Sequence, residues 1–316
     1  MSWISPFQLS QLGILGMNRR NVSYIAEYNE RKHFPNVDNK LTTKLLATEA
    51  GLAVPELISV VETQHAIQNL EETLGSLTDF VAKPASGSGG KGILVIVGKD
   101  KDGNFIKSSG VAITLADVQR HLTNTISGLH SLGGRPDVAF LERRVVVDDY
   151  FTPLSHKGVP DIRLIVFKGF PIMGMLRLAT KASDGKANLH QGALGVGLDI
   201  ATGQAVNAIQ FDQPVSHHPD TGADLSKITI PHWDSLLKLA SQCYEVCELG
   251  YLGCDIVLDK THGPMILELN ARPGLSIQLA NNRGLVPRLR DLEGQKTRKM
   301  SIDARVEYSK EVIATL

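Results

Sequence analysis

The spacing of apolar residues changes several times along the chain, and each change predicts a new element. Asn21 to Arg31 has the spacing of a short helix, stopped at Pro35. DNKLTTKLLATEAGLAVPE (38–56) predicts a helix with Asp38 as N-cap, Gly51 just past its end and Pro55 blocking continuation. From Phe80 to Val97 two short apolar runs, FVAKPA and ILVIV, flank a glycine-rich loop. VAFL, RVVV, DIRLIVF and PIMGMLRL, between residues 138 and 178, predict strands parted by turn signals. A long helix is predicted from Pro231, where Trp233, Leu236, Leu237, Ala240, Cys243, Tyr244 and Cys247 recur at helical spacing. Two strands follow Gly253, and 291–316 is a polar tail with a last helix. Strands and helices without strict βαβ alternation predict an α+β protein rather than a Rossmann domain.

Composition narrows the classes. With 316 residues the chain can bury one large core or two ordinary ones. An apolar fraction of 42% and a charged fraction of 21% are those of a globular protein, and the formal net charge of zero gives no field for nucleic acid or a membrane surface. MSWISPFQLSQLGILGMNRR places its arginines after a broken apolar stretch, the reverse of a signal peptide, and no run approaches the roughly 18 apolar residues of a membrane span. Three cysteines are too few for a disulfide framework, and two of them, Cys243 and Cys247, lie on an apolar helix stripe. The expectation is a cytoplasmic protein without a membrane span.

CDIVLDKTHGPMILELN (254–270) carries the sharpest chemistry. If Asp259 pairs with Pro264 across a four-residue loop, Asp255 stands opposite Glu268, with Cβ atoms roughly 5 Å apart. Asn270, two positions on, points to the same face. Two converging carboxylates repel unless a cation lies between them, and a small set of hard oxygen donors suits magnesium completed by phosphate oxygens and water. The competing reading is an acidic solvent face. Against it, Ile266, Leu267 and Leu269 make the strand apolar.

SGSGGKG (86–92) contains G-x-G-x-x-G, but the run that follows, ILVIV, is strand-forming, so no dinucleotide fingerprint results. A Walker loop fails as well, because Gly92 follows Lys91 where Ser or Thr is needed. What remains is a hairpin lid whose backbone N–H groups can fold over phosphates, with Lys91 on it and Lys83 on the strand before it. The alternative is a plain glycine-rich surface hairpin. Farther on, Arg163 in DIR and Arg177 bracket the turn KGFP; arginine forks suit phosphate and carboxylate oxygens, although surface pairing with Asp161 or Asp184 would also explain them. The polar loop SDGKANLHQGALGVG (183–197) carries Asn188 and His190.

In this order, Lys40 at a helix start, Lys83, the glycine-rich loop, FLERRVVVDD, DIR, Arg177, NLHQG and Asp255…Glu268-Leu-Asn270 resemble the ATP-grasp superfamily, and most of all its alpha-L-glutamate ligase homologues. The likeness spans about residues 38–290. It implies an ATP-grasp fold in which two α+β subdomains clamp ATP, after a short N-terminal segment (1–37) and before a C-terminal tail (291–316). The lid subdomain would run from about 79 to 141 and the metal-binding subdomain from about 142 to 290.

The resemblance also implies roles. Lys40 and Lys83 would contact ATP phosphates under a lid that includes Ser86, Gly87, Gly89, Gly90 and Lys91. Glu142 and Val145 would frame the adenine, and Asp149, with Asp148 as competitor, the ribose. Asp255, Glu268 and Asn270 would hold Mg2+ or Mn2+. Arg163, Arg177 and Asn188 would face the γ-phosphate and an acyl phosphate, with Arg272 beside the metal. Arg19, Arg20 and Arg272 are candidates for a substrate carboxylate. The activity implied is ATP-dependent ligation of a small carboxylate to an amine or peptide, with glutamate as one addend. A phosphotransferase, or a nucleotide-sensing module without turnover, stays open, as does a homo-oligomer. Two features depart from the glutamate-ligase pattern: the region before Lys40 is short, and Arg272 replaces a small residue.

Overall fold

A computed structural model describes residues 5–87, 89–131, 133–295 and 300–316. The chain divides into two compact units, a smaller one of residues 38–46 and 54–145 and a larger one of residues 1–37, 47–53 and 146–316. Each is built on one antiparallel sheet with helices, an α+β arrangement.

The smaller unit holds β1 (Leu57–Val61), β2 (Phe80–Pro84), β3 (Leu94–Lys99), β4 (Phe105–Lys107), β5 (Ala112–Ile113) and β6 (Ala139–Glu142), in the order β1-β6-β2-β3-β4-β5. Its core gathers Phe80, Ile96 and Phe105 with Val118 and Leu122 of the helix Leu115–Ile126. Thr114 and Asp117 form a capping box that starts this helix. Fully burying one such side chain contributes about 1.5–3 kcal/mol.

The larger unit holds β7 (Asp161–Phe167), β8 (Phe170–Leu178), β9 (Leu194–Leu198), β10 (Ala205–Gln210), β11 (Gln213–Pro214), β12 (Tyr251–Asp259) and β13 (Gly263–Asn270). They lie in the order β11-β10-β9-β8-β7-β12-β13. β7, β8 and β12 are buried almost throughout, which explains why their sequences read as continuous apolar runs. The helix Trp233–Cys247 turns Leu236, Leu237, Ala240, Cys243 and Cys247 inward. The three cysteines are free and buried, and burial pushes the Cys247 thiol up to about 12.

Three local expectations change. Pro35 begins the helix Pro35–Asp38 instead of ending one, because proline fits the first helical turn. The helix Lys40–Glu49 is capped by Asn39, whose side chain accepts from Thr42 N at 2.9 Å, so Asp38 is not the cap. RVVV forms no strand; Val147 contributes one isolated bridge, to Asp259. The short segment before residue 37 is packed into the larger unit, where Tyr24 and Ile25 sit in one core with Phe167, Phe170, Tyr251 and Leu289. Likewise the C-terminal helix Ile302–Glu311 is tied down, with Arg305 paired to Glu245 and Lys310 to Asp234 at 2.8 Å. Among the described residues no helix is long and apolar enough to cross a membrane.

Candidate active site

In the larger unit, strand pairing builds a ladder of alternating charge. On β7, Asp161 faces Arg177 of β8, and Arg163 faces Asp255 of β12; Asp255 in turn faces Glu268 of β13. Residues directly opposed across strands project to one face, so these side chains must meet. Arg163 donates through Nε and Nη2 to the two oxygens of Asp255, each at 2.6 Å. Arg177 donates Nε to Asp161 at 2.5 Å and Nη2 to Asp255 at 2.8 Å. Asp255 and Asp161 are both buried.

Their burial makes the pairing decisive. Burial pushes the Asp255 carboxyl up, but the guanidiniums of Arg163 and Arg177 outweigh it and hold it well below the usual carboxylate range. For Asp161 burial wins over the pull of Arg177, and the charge of Asp255 adds to it, so its carboxyl lies above that range. Arg177, between the two carboxylates, is held more firmly protonated than usual.

Asp255 and Glu268 are opposed by a different route from the one expected. The turn closes one residue earlier, with Asp259 opposite Gly263, and an irregularity between Asp255 and Ile256 makes Leu267 an extra residue. This bulge restores the Asp255–Glu268 pairing. The cation expected between the carboxylates is also supplied in part by protein, because guanidiniums reach Asp255 from β7 and β8.

Among the described residues no cluster of three or more His, Cys, Asp and Glu side chains could hold a metal. The donor set here is two carboxylates and an amide. Asn270 points its nitrogen at Asp255 Oδ2, 3.4 Å away. Turning that amide would put its oxygen in place of the nitrogen facing Asp255, so that the two carboxylates and the amide form an all-oxygen set of the kind that suits a hard divalent cation.

The smaller unit gathers amines. Lys83 on β2 and Lys44 on the Lys40–Glu49 helix hold the two oxygens of Glu142 at 2.5 and 2.8 Å. Lys44 and Glu142 are almost wholly buried, and burial lowers the Lys44 ammonium despite its partner. The Glu142 carboxylate is therefore committed to lysines, and its strand pairs with β1 and β2. Lys44 was missed in the sequence, although it follows Lys40 by one helical turn. Val145 is buried three residues beyond.

The glycine-rich loop leaves β2 beside Lys40, whose Nζ donates to the Gly87 carbonyl at 2.7 Å. Ser86 N donates to both oxygens of Asp137, and Gly87 bridges to Ser131. Gly89, Gly90 and Lys91 are exposed; Ser88 lies outside the described residues. Gly92 has φ +77°, and a Cβ there would lie 2.6 Å from the ring of His130. His121, stacked on His130, meets the Gly92 carbonyl at 2.9 Å, which closes the loop onto the Leu115–Ile126 helix.

The remaining candidates sit on loops of the larger unit. Asn188 caps the turn Leu189–Gln191 through His190 N at 3.0 Å. Asp149 is exposed and paired with Lys260 at 2.7 Å, while Asp148 caps the turn by accepting from Tyr150 N. Arg272 lies over the ring of Phe34, 4.6 Å from its centroid.

A family model described as sugar-transfer associated ATP-grasp matches residues 19–294. Among solved structures, the ATP-grasp ligase PsnB complexed with minimal precursor, Mg and ADP is similar at TM-score 0.44 and 16% identity, over 88% of this chain and 62% of that one. D-alanine–D-alanine ligase from Bacillus anthracis complexed with ATP is similar at TM-score 0.42 and 15% identity, over 87% and 68%. The chain spans about three-fifths of the length of the PsnB chains. No match occurs among curated proteins. With a family match running over most of its length, the chain has the ATP-grasp fold and belongs to the sugar-transfer associated ATP-grasp family.

Proposed function

We propose that this protein is an ATP-dependent carboxylate–amine ligase that activates a carboxylate as an acyl phosphate and releases ADP and phosphate. The observation that carries the reading is the ladder Arg177–Asp161 and Arg163–Asp255, with its two aspartates buried, beside Glu268 and Asn270 on β13. Fixed guanidiniums next to hard oxygen donors suit a reaction in which negative charge moves between phosphate and carboxylate oxygens.

In this proposal Asp255, Glu268 and Asn270 hold magnesium, or manganese in its place. The ion supplies neutralisation of phosphate charge when bound. Lys40 and Lys83 take phosphate oxygens, with Lys44 and Glu142 fixing Lys83. The loop with Ser86, Gly87, Gly89, Gly90 and Lys91 covers the phosphates and keeps water from the acyl phosphate. Val145 and the backbone near Glu142 meet the adenine, and Asp149 the ribose. Arg163 and Arg177 orient the γ-phosphate and the attacking carboxylate, with Asn188 and Arg272 at the acyl group. The carboxylate oxygen attacks the γ-phosphorus in line, the ADP oxygen leaves, an amine adds to the acyl carbon, and phosphate departs.

The lid subdomain spans about 79–141 and the metal-binding subdomain about 142–290. A narrower reading, addition of glutamate or another amino acid to a peptide or small acid, is supported by the DIR and NLHQG segments and by Glu268-Leu-Asn270. Free, buried cysteines and the proposed use of ATP fit a cytoplasmic site of action.

The test is ADP and phosphate release by the full chain with ATP and magnesium, across amino acids, peptides and hydroxy compounds, with mass spectrometry of the products. A condensed product that has lost one water supports ligation. A substrate carrying a phosphoryl group would replace this reading with a phosphotransferase, and nucleotide binding without release would replace it with a sensing module.

A further inference from the structure

The helical run Met17–Tyr28 contains a π-helical turn, Arg20–Ile25. Such a turn widens the helix locally and re-aims its side chains, often where a site is formed. Here it delivers Arg20 to the loop that follows β13. Arg20 Nη1 donates to the Pro273 carbonyl at 2.8 Å, and its Nε and Nη2 both donate to Asn21 Oδ1, at 3.0 and 2.8 Å. A guanidinium has five N–H donors. Three are used here, all on neutral acceptors, and among the described residues no carboxylate pairs with Arg20. The result is a partly buried cation, fixed in orientation and not neutralised.

Its position is set by the strands of the candidate site. Pro273 follows Asn270 by three residues, at most about 11 Å of chain. It rests against Gly253, where a Cβ would lie 2.7 Å from Pro273 Cβ, and Gly253 is the strand partner of Asn270. The end of the same helical run is stitched to β12, since Asn29 exchanges hydrogen bonds with the backbone of Tyr251 at 2.8 Å in both directions. Tyr251 is wholly buried, its hydroxyl finds no hydrogen-bond partner among the described residues, and the charge of Arg20 acts on it. The nearby acid Glu293 accepts from the Tyr24 hydroxyl at 2.9 Å.

We infer that Arg20 is the receptor for the unreacting carboxylate of the amine-bearing substrate, an amino acid or short peptide. This rests on the ligase reading above, in which Arg163 and Arg177 serve the reacting carboxylate. A second oriented guanidinium, held on the loop next to Asn270, suits the second substrate: its open donors match a carboxylate fork, and its charge lacks a partner until that group arrives.

The test measures amide formation from L-amino acids, each supplied as the free acid and as its carboxamide, with wild type and Arg20→Gln. Wild type should prefer the acid, and Arg20→Gln should raise KM for the acid about 10- to 100-fold while leaving KM for the carboxamide in place, the loss expected for one charge-assisted contact. Thermal unfolding checks that the variant is folded. If Arg20→Gln does not fold, Arg20→Lys takes its place and should lose at least part of the preference, because a point charge lacks the fork. A folded variant that keeps the full wild-type preference overturns the inference while ligation stands. If wild type makes no amide from any amino acid in the panel, the ligase reading falls and this inference with it.

Discussion

Arg163 meets Asp255 with two parallel hydrogen bonds of 2.6 Å, made between strands β7 and β12 that lie far apart in sequence. Because Arg177 shares the same carboxylate, Asp255→Asn would leave two half-buried guanidiniums without their common anion, at a position that is itself buried. Removing one partner of a buried pair typically costs about 3–5 kcal/mol. Urea unfolding of Asp255→Asn should show a loss of that order together with loss of ADP release. A midpoint equal to wild type would mean that the arginines are neutralised elsewhere.

Glu142 should behave the same way in the smaller unit, since it anchors Lys44 and Lys83 at once. Glu142→Gln is expected to cost about 3–5 kcal/mol, and adding Lys83→Met should recover part of that by removing one uncompensated ammonium. Strictly additive losses in the double variant would show that the pair is not coupled.

Two glycines of the loop after β2 separate local strain from collision. Gly90 has φ +75° with open space around its Cβ position, whereas Gly92 has φ +77° and the His130 ring in the way. Gly90→Ala should cost about 1–2 kcal/mol for the left-handed backbone alone, and Gly92→Ala more. Thermal unfolding of both variants checks the ranking; equal costs would mean that His130 moves aside freely.

His121 gives the anchoring of the glycine-rich loop a dependence on pH. Burial lowers its pKa, opposed by the bond to the Gly92 carbonyl and assisted by the charges of His130 and Lys107. A histidine whose folded value is depressed takes its proton first in the unfolded chain. Its contribution to stability is therefore complete above about pH 6.5, the unfolded value, and is lost as the pH falls from there through the lower folded value, by no more than about 1.4 kcal/mol per pH unit. Between pH 7.5 and 5.5, wild type should lose more thermal stability than His121→Gln, and equal losses would assign the effect to other groups.

Much of this architecture can be read in the residues, and the misreadings have identifiable causes. Asp255 and Glu268 face each other as their alternation suggests, yet through a tighter turn and a bulge at Leu267 that no spacing rule marks. The pairing of Arg177 with Asp161 is within reach of sequence reasoning, because both flank one hairpin. The pairing of Arg163 with Asp255 is not, because it depends on which strand lies next to β7. The same holds for Glu142, whose charge looks surplus until the sheet brings Lys83 beside it and the helix brings Lys44. Asn39 displaced Asp38 as cap because either side chain can serve a helix start.

The most direct test of the ligase account follows oxygen. With a carboxylate substrate labelled with oxygen-18 in its carboxyl group, an acyl phosphate passes one labelled oxygen to phosphorus, and the amine then displaces that phosphate. One labelled oxygen should appear in the released phosphate and the other in the amide. Unlabelled phosphate, with both labelled oxygens still on the carboxylate, would contradict it.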